Sequence, residues 1–273
     1  MMHFGVIGHG VIAETLLSGI VGDGSASIGR IVCLARPGSE DRAAALLDAY
    51  RSVPERQIVT SIDAFVTSGI SLAAECAGQQ ALCEFGERVL AAGIDLVPAS
   101  VGALADDELH TRLMSVAKAS GAIIFLPAGA VGGLDIVGAA KLSGIETVLY
   151  TSRKPPLAWQ GTPAEQLIDL SKLTRPTTFY DGTARAAARD YPKNANVAAA
   201  VALAGIGFDR TKVQLVADPS VERNVHEIVL RSSCADVTMR IEGRPSPKNP
   251  QTSLTAGFSI ARLVLSQMAN EVI

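Results

Sequence analysis

Gly8-His9-Gly10-Val11-Ile12-Ala13 sets two glycines and a small residue at the spacing G-x-G-x-x-A, the spacing of a turn that seats the pyrophosphate of a dinucleotide. The apolar run 3–8 leads into it and a helical apolar pattern leaves it, the context that this chemistry requires. Gly8 permits the tight turn, Gly10 lets a phosphate approach the backbone, and Ala13 allows close helix–strand packing. The N–H groups of the helix start, Val11 and Ile12 among them, then offer donors and a positive dipole. The plain alternative is a glycine-rich β–α turn with no ligand; its place after the first strand favours the ligand. An acid about 20 residues further on normally bonds the adenosine ribose. Here the second apolar run ends Leu34-Ala35-Arg36-Pro37, and Asp23 falls too early. An arginine at that place pairs a 2′-phosphate and stacks on adenine. NAD and NADP are both expected as cofactors, the alternative being an Arg36 that only faces solvent.

A second set of polar residues gathers at expected element ends: Leu126–Asp135, Tyr191–Val197, Glu222–Glu227 and Pro247–Ser253. Tyr191-Pro192-Lys193-Asn194-Ala195-Asn196-Val197 opens an Ala/Val-rich helix, and the stretch before Ser253 is expected to open the last helix. Helix N-termini carrying Lys and Asn suit carboxylates, because N–H donors, dipole and ammonium point the same way. Of the four histidines, His226 alone combines a strand pattern with polar neighbours. By alternation it shares a face with Asn224, while Arg223, Val225 and Glu227 share the other. A strand histidine is more often a hydrogen-bonded surface group than a catalyst; its companions are what favour chemistry.

Taken together, the glycine turn, LPAGAVGGLD, YPKNANVAAA, NVHEI and NPQTS resemble the L-aspartate dehydrogenase family along the whole chain. PKNANVA with NVHE is the most specific pair. The resemblance implies oxidative deamination of L-aspartate with NAD or NADP to iminoaspartate, released or hydrolysed to oxaloacetate and ammonia, in the service of NAD biosynthesis. It puts the catalytic histidine on His226 and cofactor contacts on Ala130 and Asn196, for which helix capping is the ordinary alternative role of an asparagine. The substrate is a small dianion, expected at the cleft between two domains. Lys193, Asn194 and the N–H groups after Thr252 are expected to hold its carboxylates, with help from Ser100. An imidazole titrating near neutral pH suits the proton work. Enzymes resembling homoserine dehydrogenase or dihydrodipicolinate reductase share the same outline, and a non-catalytic dinucleotide sensor would need only the glycine turn.

The elements that must position these residues alternate up to about residue 125. The runs 3–8, 28–36, 57–60, 71–78, 94–100 and 122–129 read as short strands separated by helices, hence a Rossmann-type doubly wound parallel sheet of α/β class. Beyond residue 128, ETVLYTSRKPP, KVQLVADP, VHEIVLRSS and ADVTMRIEG alternate more clearly, which predicts a smaller α+β domain with a mixed sheet. The expected division is 1–128 with a returning C-terminal helix over 252–273 for the dinucleotide, and 129–251 for the second domain, to which the resemblance assigns catalysis and dimerisation.

In 273 residues, 24 Lys+Arg against 27 Asp+Glu give a net charge of −3 with no basic block, and aromatics are 4%; nucleic acid is not an expected partner. No apolar run reaches the roughly 18 residues of a membrane span, and the N-terminus lacks the basic region of a secretory signal. Cys33, Cys76, Cys83 and Cys234 show no C-x-x-C spacing, so free thiols in a reducing cytoplasm are expected rather than a metal or disulfides. A cytoplasmic location is the resulting expectation, and the family resemblance adds a homodimer.

Overall fold

The structure, a computed structural model, describes residues 1–22 and 27–272, the side chains of Lys193, Pro250 and Gln251 excepted. Asp23 lies outside the described residues. The chain divides into two units, Met1–Pro127 with Ala256–Ile273, and Ala128–Thr255.

The first unit runs β1 (Met2–Ile7), α1 (Val11–Val21), β2 (Ile28–Leu34), α2 (Glu40–Asp48), β3 (Glu55–Val59), α3 (Ile62–Val66), β4 (Leu72–Glu75), α4 (Gln79–Ala91), β5 (Asp95–Pro98) and α5 (Asp107–Ser120). All five strands are parallel, in the order β3-β2-β1-β4-β5. The apolar runs of β1, β2 and β4 are buried on both faces, as helices on both sides of a parallel sheet require. Strand order reverses beside β1, so the turns after β1 and β4 flank the switch point where open α/β sheets bind ligands. The expected strand over 122–129 is a single bridge between Ile124 and Leu96. Asp95 Oδ1 accepts the Ile123 N–H at 2.7 Å, and Pro127 has no N–H with which to extend a ladder.

In the second unit come α6 (Leu134–Ser143), β6 (Ile145–Lys154), α7 (Ala164–Leu167), β7 (Thr177–Thr183), α8 (Ala184–Asp190), α9 (Asn196–Ala204), β8 (Lys212–Ala217), β9 (Val225–Ser232), β10 (Asp236–Glu242), β11 (Pro245–Ser246) and β12 (Asn249–Ser253). Its mixed sheet has the order β10-β9-β6-β8-β7. β8 and β9 are consecutive but not neighbours: β6 lies between them, parallel to β8 and antiparallel to β9. β7 was not expected as a strand; it is an edge strand with no fully buried residue, exposed at Thr178 and Asp181 and containing Gly182, so it lacks an apolar alternation.

The final helix, α10, spans Leu254–Ser266 rather than starting at 252. Thr252 and Ser253 belong to β12, paired antiparallel with β11, and the Leu254 N–H is taken by the Arg244 carbonyl at 3.1 Å. Ile260, Ala261 and Val264 of α10 lie in the core of the first unit with Leu16, Leu17 and Ile20. The approach is close because both helices carry glycine: a Cβ on Gly257 would fall 2.5 Å from Thr15 Cβ, and one on Gly19 2.8 Å from Ala261 Cβ. Gly to Ala inside a helix ordinarily stabilises by up to about 1 kcal/mol. Gly257→Ala should reverse that sign and destabilise by about 1–3 kcal/mol through overpacking, read from chemical denaturation; a stabilised variant would contradict the docking of α10 on α1.

Candidate active site

Gly8 has φ +94°, and a Cβ there would fall 2.9 Å from Ala77 Cβ in the turn after β4. Only glycine takes that conformation freely. Among the described residues, a Cβ on Gly10 would instead meet nothing within 4 Å, and no side chain caps the N-terminus of α1. Open space over a glycine, with uncapped helix N–H groups at Val11 and Ile12 beside it, fits a pyrophosphate. The residues present therefore fit a nicotinamide dinucleotide.

The neighbouring turns are fixed by Glu75 at the end of β4. Its carboxylate is fully buried. Oε1 accepts the N–H groups of Ala77 and Gly78, both at 2.7 Å, and Oε2 accepts that of Ser100 at 3.1 Å. Burial pushes its pKa up, and these hydrogen bonds with the Ser100 hydroxyl oppose the rise. Ser100, expected to help hold a substrate carboxylate, is itself buried and commits both N–H and hydroxyl to Glu75. Its place is in this clamp.

In the second unit, Tyr150, Ser152 and Lys154 alternate along β6, and Ser152 faces His226 across the β6–β9 ladder. Tyr150 Oη lies 2.8 Å from His226 Nδ1, and the two ring planes are nearly parallel, 13° apart, with centroids separated by 6.0 Å. The Ser152 hydroxyl bonds the same phenol. The opposite face is satisfied separately: Arg153 pairs with Asp218 at 3.0 Å and Glu227 at 3.3 Å. His226 is 5% exposed, and its Nε2 is buried without a hydrogen-bond partner among the described residues. Leaving such an atom unpaired costs about 1–3 kcal/mol, which marks it as a contact held in reserve.

The proton affinity of His226 differs from expectation. Burial first, and then the charge of Lys154, lower its pKa to about 4, so the ring is neutral at pH 7 instead of titrating there. Lys154 was not singled out in the sequence. Its Nζ donates to Asn194 Oδ1 at 2.5 Å and lies 4.8 Å from the centre of the Trp159 ring. Burial brings its own pKa down to about 8. The i, i+2, i+4 spacing of Tyr150, Ser152 and Lys154 was available as a signal, but nothing in the sequence tells that β6 is the neighbour of β9.

Asn194 thus joins the histidine cluster through Lys154. The Lys193 backbone lies in the 3₁₀ turn Pro192–Asn194, and its side chain lies outside the described residues. Asn196 begins α9. The turn holding Ala130 passes the same helix end: Ala130 is buried, and a Cβ on Gly129 would come 3.9 Å from Val197 Cγ2. Thr252 is a strand residue and not a helix N-terminal one. Asn224 precedes β9 and lines a cavity of about 590 Å³ with Arg223, Arg244 and Ser253. Arg36 ends the run after β2 and is exposed. Of the expected residues, Gly8, Gly10, Val11 and Ile12 thus share one turn, and Asn194 meets Lys154, while Ser100 and Thr252 stand apart from these groups.

Two family models cover most of the chain in sequence: "Homoserine dehydrogenase, NAD binding domain" matches residues 8–127, and "Aspartate dehydrogenase, C-terminal" matches residues 135–267, running on into α10. An L-aspartate dehydrogenase from Cupriavidus taiwanensis is 40% identical over 96% of both chains. One from Acinetobacter baumannii is 42% identical over 78% of this chain and 83% of its own. Among solved structures, the aspartate dehydrogenase of Thermotoga maritima superposes with a TM-score of 0.77 at 25% identity, covering 100% of this chain and 99% of that one. With that identity sustained over nearly the full length, the chain belongs to the L-aspartate dehydrogenase family.

Proposed function

We propose that this chain oxidises L-aspartate with NAD or NADP to iminoaspartate, which water converts to oxaloacetate and ammonia. The observation that carries the reading is the unpartnered, buried Nε2 of a histidine whose other nitrogen is pinned by Tyr150 beside a buried lysine. Bound at the glycine turn, the dinucleotide supplies the acceptor for the hydride that leaves Cα.

The chain's own residues manage charge. Lys154, cationic below about pH 8, and the Asn194 amide attract a substrate carboxylate. Before a carboxylate enters, the Lys154 charge disfavours protonation of His226. A bound dianion offsets that charge and raises the imidazole's proton affinity. His226 then takes up a proton at Nε2 from the substrate ammonium and passes it to solvent, and later takes one from the water that attacks the imine and returns it to the departing ammonia. As a base it keeps its lone pair on Nε2 and donates from Nδ1 to the phenol oxygen, which holds the ring in orientation. Ala130, through its main chain, and Asn196, through its amide, orient the nicotinamide. Lys193, which precedes Asn194 in sequence, is assigned to the substrate's carboxylates on its residue type.

The second unit would also carry a homodimer interface, giving twice the chain mass in light scattering. Among the described residues no helix is long and apolar enough to cross a membrane. Cys33 and Cys76 are buried free thiols, in keeping with a reducing compartment, the cytoplasm. The iminoaspartate formed there would supply NAD biosynthesis, as the family resemblance implies.

Absorbance at 340 nm should rise with L-aspartate and either cofactor, and not with D-aspartate or L-homoserine; silence with aspartate in both directions would refute the assignment. His226→Ala should lower turnover about 10²–10⁴-fold while cofactor binding persists. The sign for Lys154 follows from its pKa of about 8: KM for aspartate should climb as pH passes above 8 and the ammonium is lost. A KM flat to pH 9.5 would remove Lys154 from the carboxylate site.

A further inference from the structure

The turns after β1 and β2 lie side by side, because the Gly8 N–H donates to the Leu34 carbonyl at 3.0 Å. His9 is thereby brought beside the start of α2 and the residues before it. Burial first, then the charges of Arg42 and Arg36, lower the pKa of His9; both guanidinium groups are close enough for it to feel them. Its Nδ1 is buried and has no hydrogen-bond partner among the described residues. Ser39, at the N-terminus of α2, is buried, yet its hydroxyl does not cap the helix; it accepts from Arg42 Nη2 at 3.0 Å. Gly38 is left-handed at φ +81°, and a Cβ there would meet nothing within 4 Å.

The charge balance points the same way. Arg30, Arg88 and Arg112 of this unit are paired with Glu55, Asp63 and Glu87. Among the described residues no carboxylate bonds Arg36 or Arg42, although Glu40 and Asp41 open α2 beside them. Two guanidinium groups, a hydroxyl and an imidazole nitrogen thus flank an open turn at the end of β2. That is the end of the strand where a dinucleotide's adenosine ribose is read. A ribose carrying free hydroxyls is matched there by an acid, and a phosphate ester by arginines, whose forked donors fit its oxygens.

We propose that Arg36, Ser39 and Arg42, with His9 at their side, form a subsite for the adenosine 2′-phosphate, and that this chain prefers NADP(H) to NAD(H). The inference rests on the dinucleotide reading of the glycine turn and is independent of which substrate is oxidised. A 2′-phosphate meets both arginines; the 2′-hydroxyl of NAD leaves both without an anion.

Calorimetry on the full chain with adenosine 2′,5′-bisphosphate and with 5′-AMP separates the phosphate from the rest of the cofactor, and quenching of protein fluorescence by NADPH and NADH repeats the comparison. The 2′-phosphorylated member of each pair should bind about 10–100-fold more tightly, the worth of one charge-assisted hydrogen bond or more. Arg36→Ala and Arg42→Ala should each bring that ratio towards one. Arg36→Asp, which restores an acid at the end of β2, should reverse it. Both arginines are exposed, and an unchanged melting temperature checks that the variants fold. Equal binding of the two members of each pair overturns the subsite and leaves the glycine turn standing. If neither dinucleotide binds at all, the reading of the turn falls, and the subsite with it.

Discussion

A histidine buried against a tyrosine, with one nitrogen bonded and the other left over, is the constraint around which the second unit is arranged. Tyr150 and His226 come from strands 76 residues apart in sequence, and they meet only because β6 is inserted between β8 and β9. The pairing fixes the ring plane and removes the hydration that would otherwise favour an imidazolium. Lys154, two residues beyond Ser152 on the same strand face, adds a positive charge that acts in the same direction. The site is therefore neutral at its histidine and cationic at its lysine, and an anion bound beside the lysine would keep the ammonium charged while raising the imidazole's proton affinity. Arg153, Asp218 and Glu227 carry their ion pairs on the other face of the sheet, so the strong local charges do not compete.

The first unit solves the same problem with a carboxylate. Glu75 is withdrawn wholly from water, which is unfavourable for a charged group unless donors replace the lost solvent. Three backbone N–H groups and a serine hydroxyl do so. Those donors belong to the turns after β4 and β5, so satisfying one buried group fixes two loops at the edge of the nucleotide site. Gly8 is pressed against one of them at Ala77, while Gly10, two residues on, is left clear. Neighbouring glycines thus have opposite reasons for lacking a side chain: one is crowded by protein, the other faces open space.

Much of this was legible in the residues. Alternation of apolar runs with helical patterns and the placing of the glycine turn sufficed for the parallel sheet, and the longer alternating runs sufficed for a mixed sheet. His226 stood out by its company. What local pattern could not supply was adjacency. Tyr150, Ser152 and Lys154 read as ordinary strand residues until β6 is known to lie next to β9. Burial was equally hidden: a strand histidine among Asn, Arg and Glu reads as solvent-facing and near-neutral in titration, whereas the fold covers it. Element ends misled as well. The proline-rich stretch before α10 reads as a linker opening a helix but folds as the β11–β12 pair, which takes Thr252 out of the helix start. Residues 122–129 have a strand's composition, yet the chain leaves the sheet after one bridge.

The central claim, a histidine kept neutral by burial and a nearby lysine, is tested most directly by nitrogen NMR of histidine-labelled protein across pH, with His226→Gln assigning the signal. The account predicts an imidazole that remains neutral well below pH 6 and takes its proton only near pH 4. An ordinary titration near 6.5 would contradict it, because the ring would then be reaching solvent and free of the phenol and the lysine.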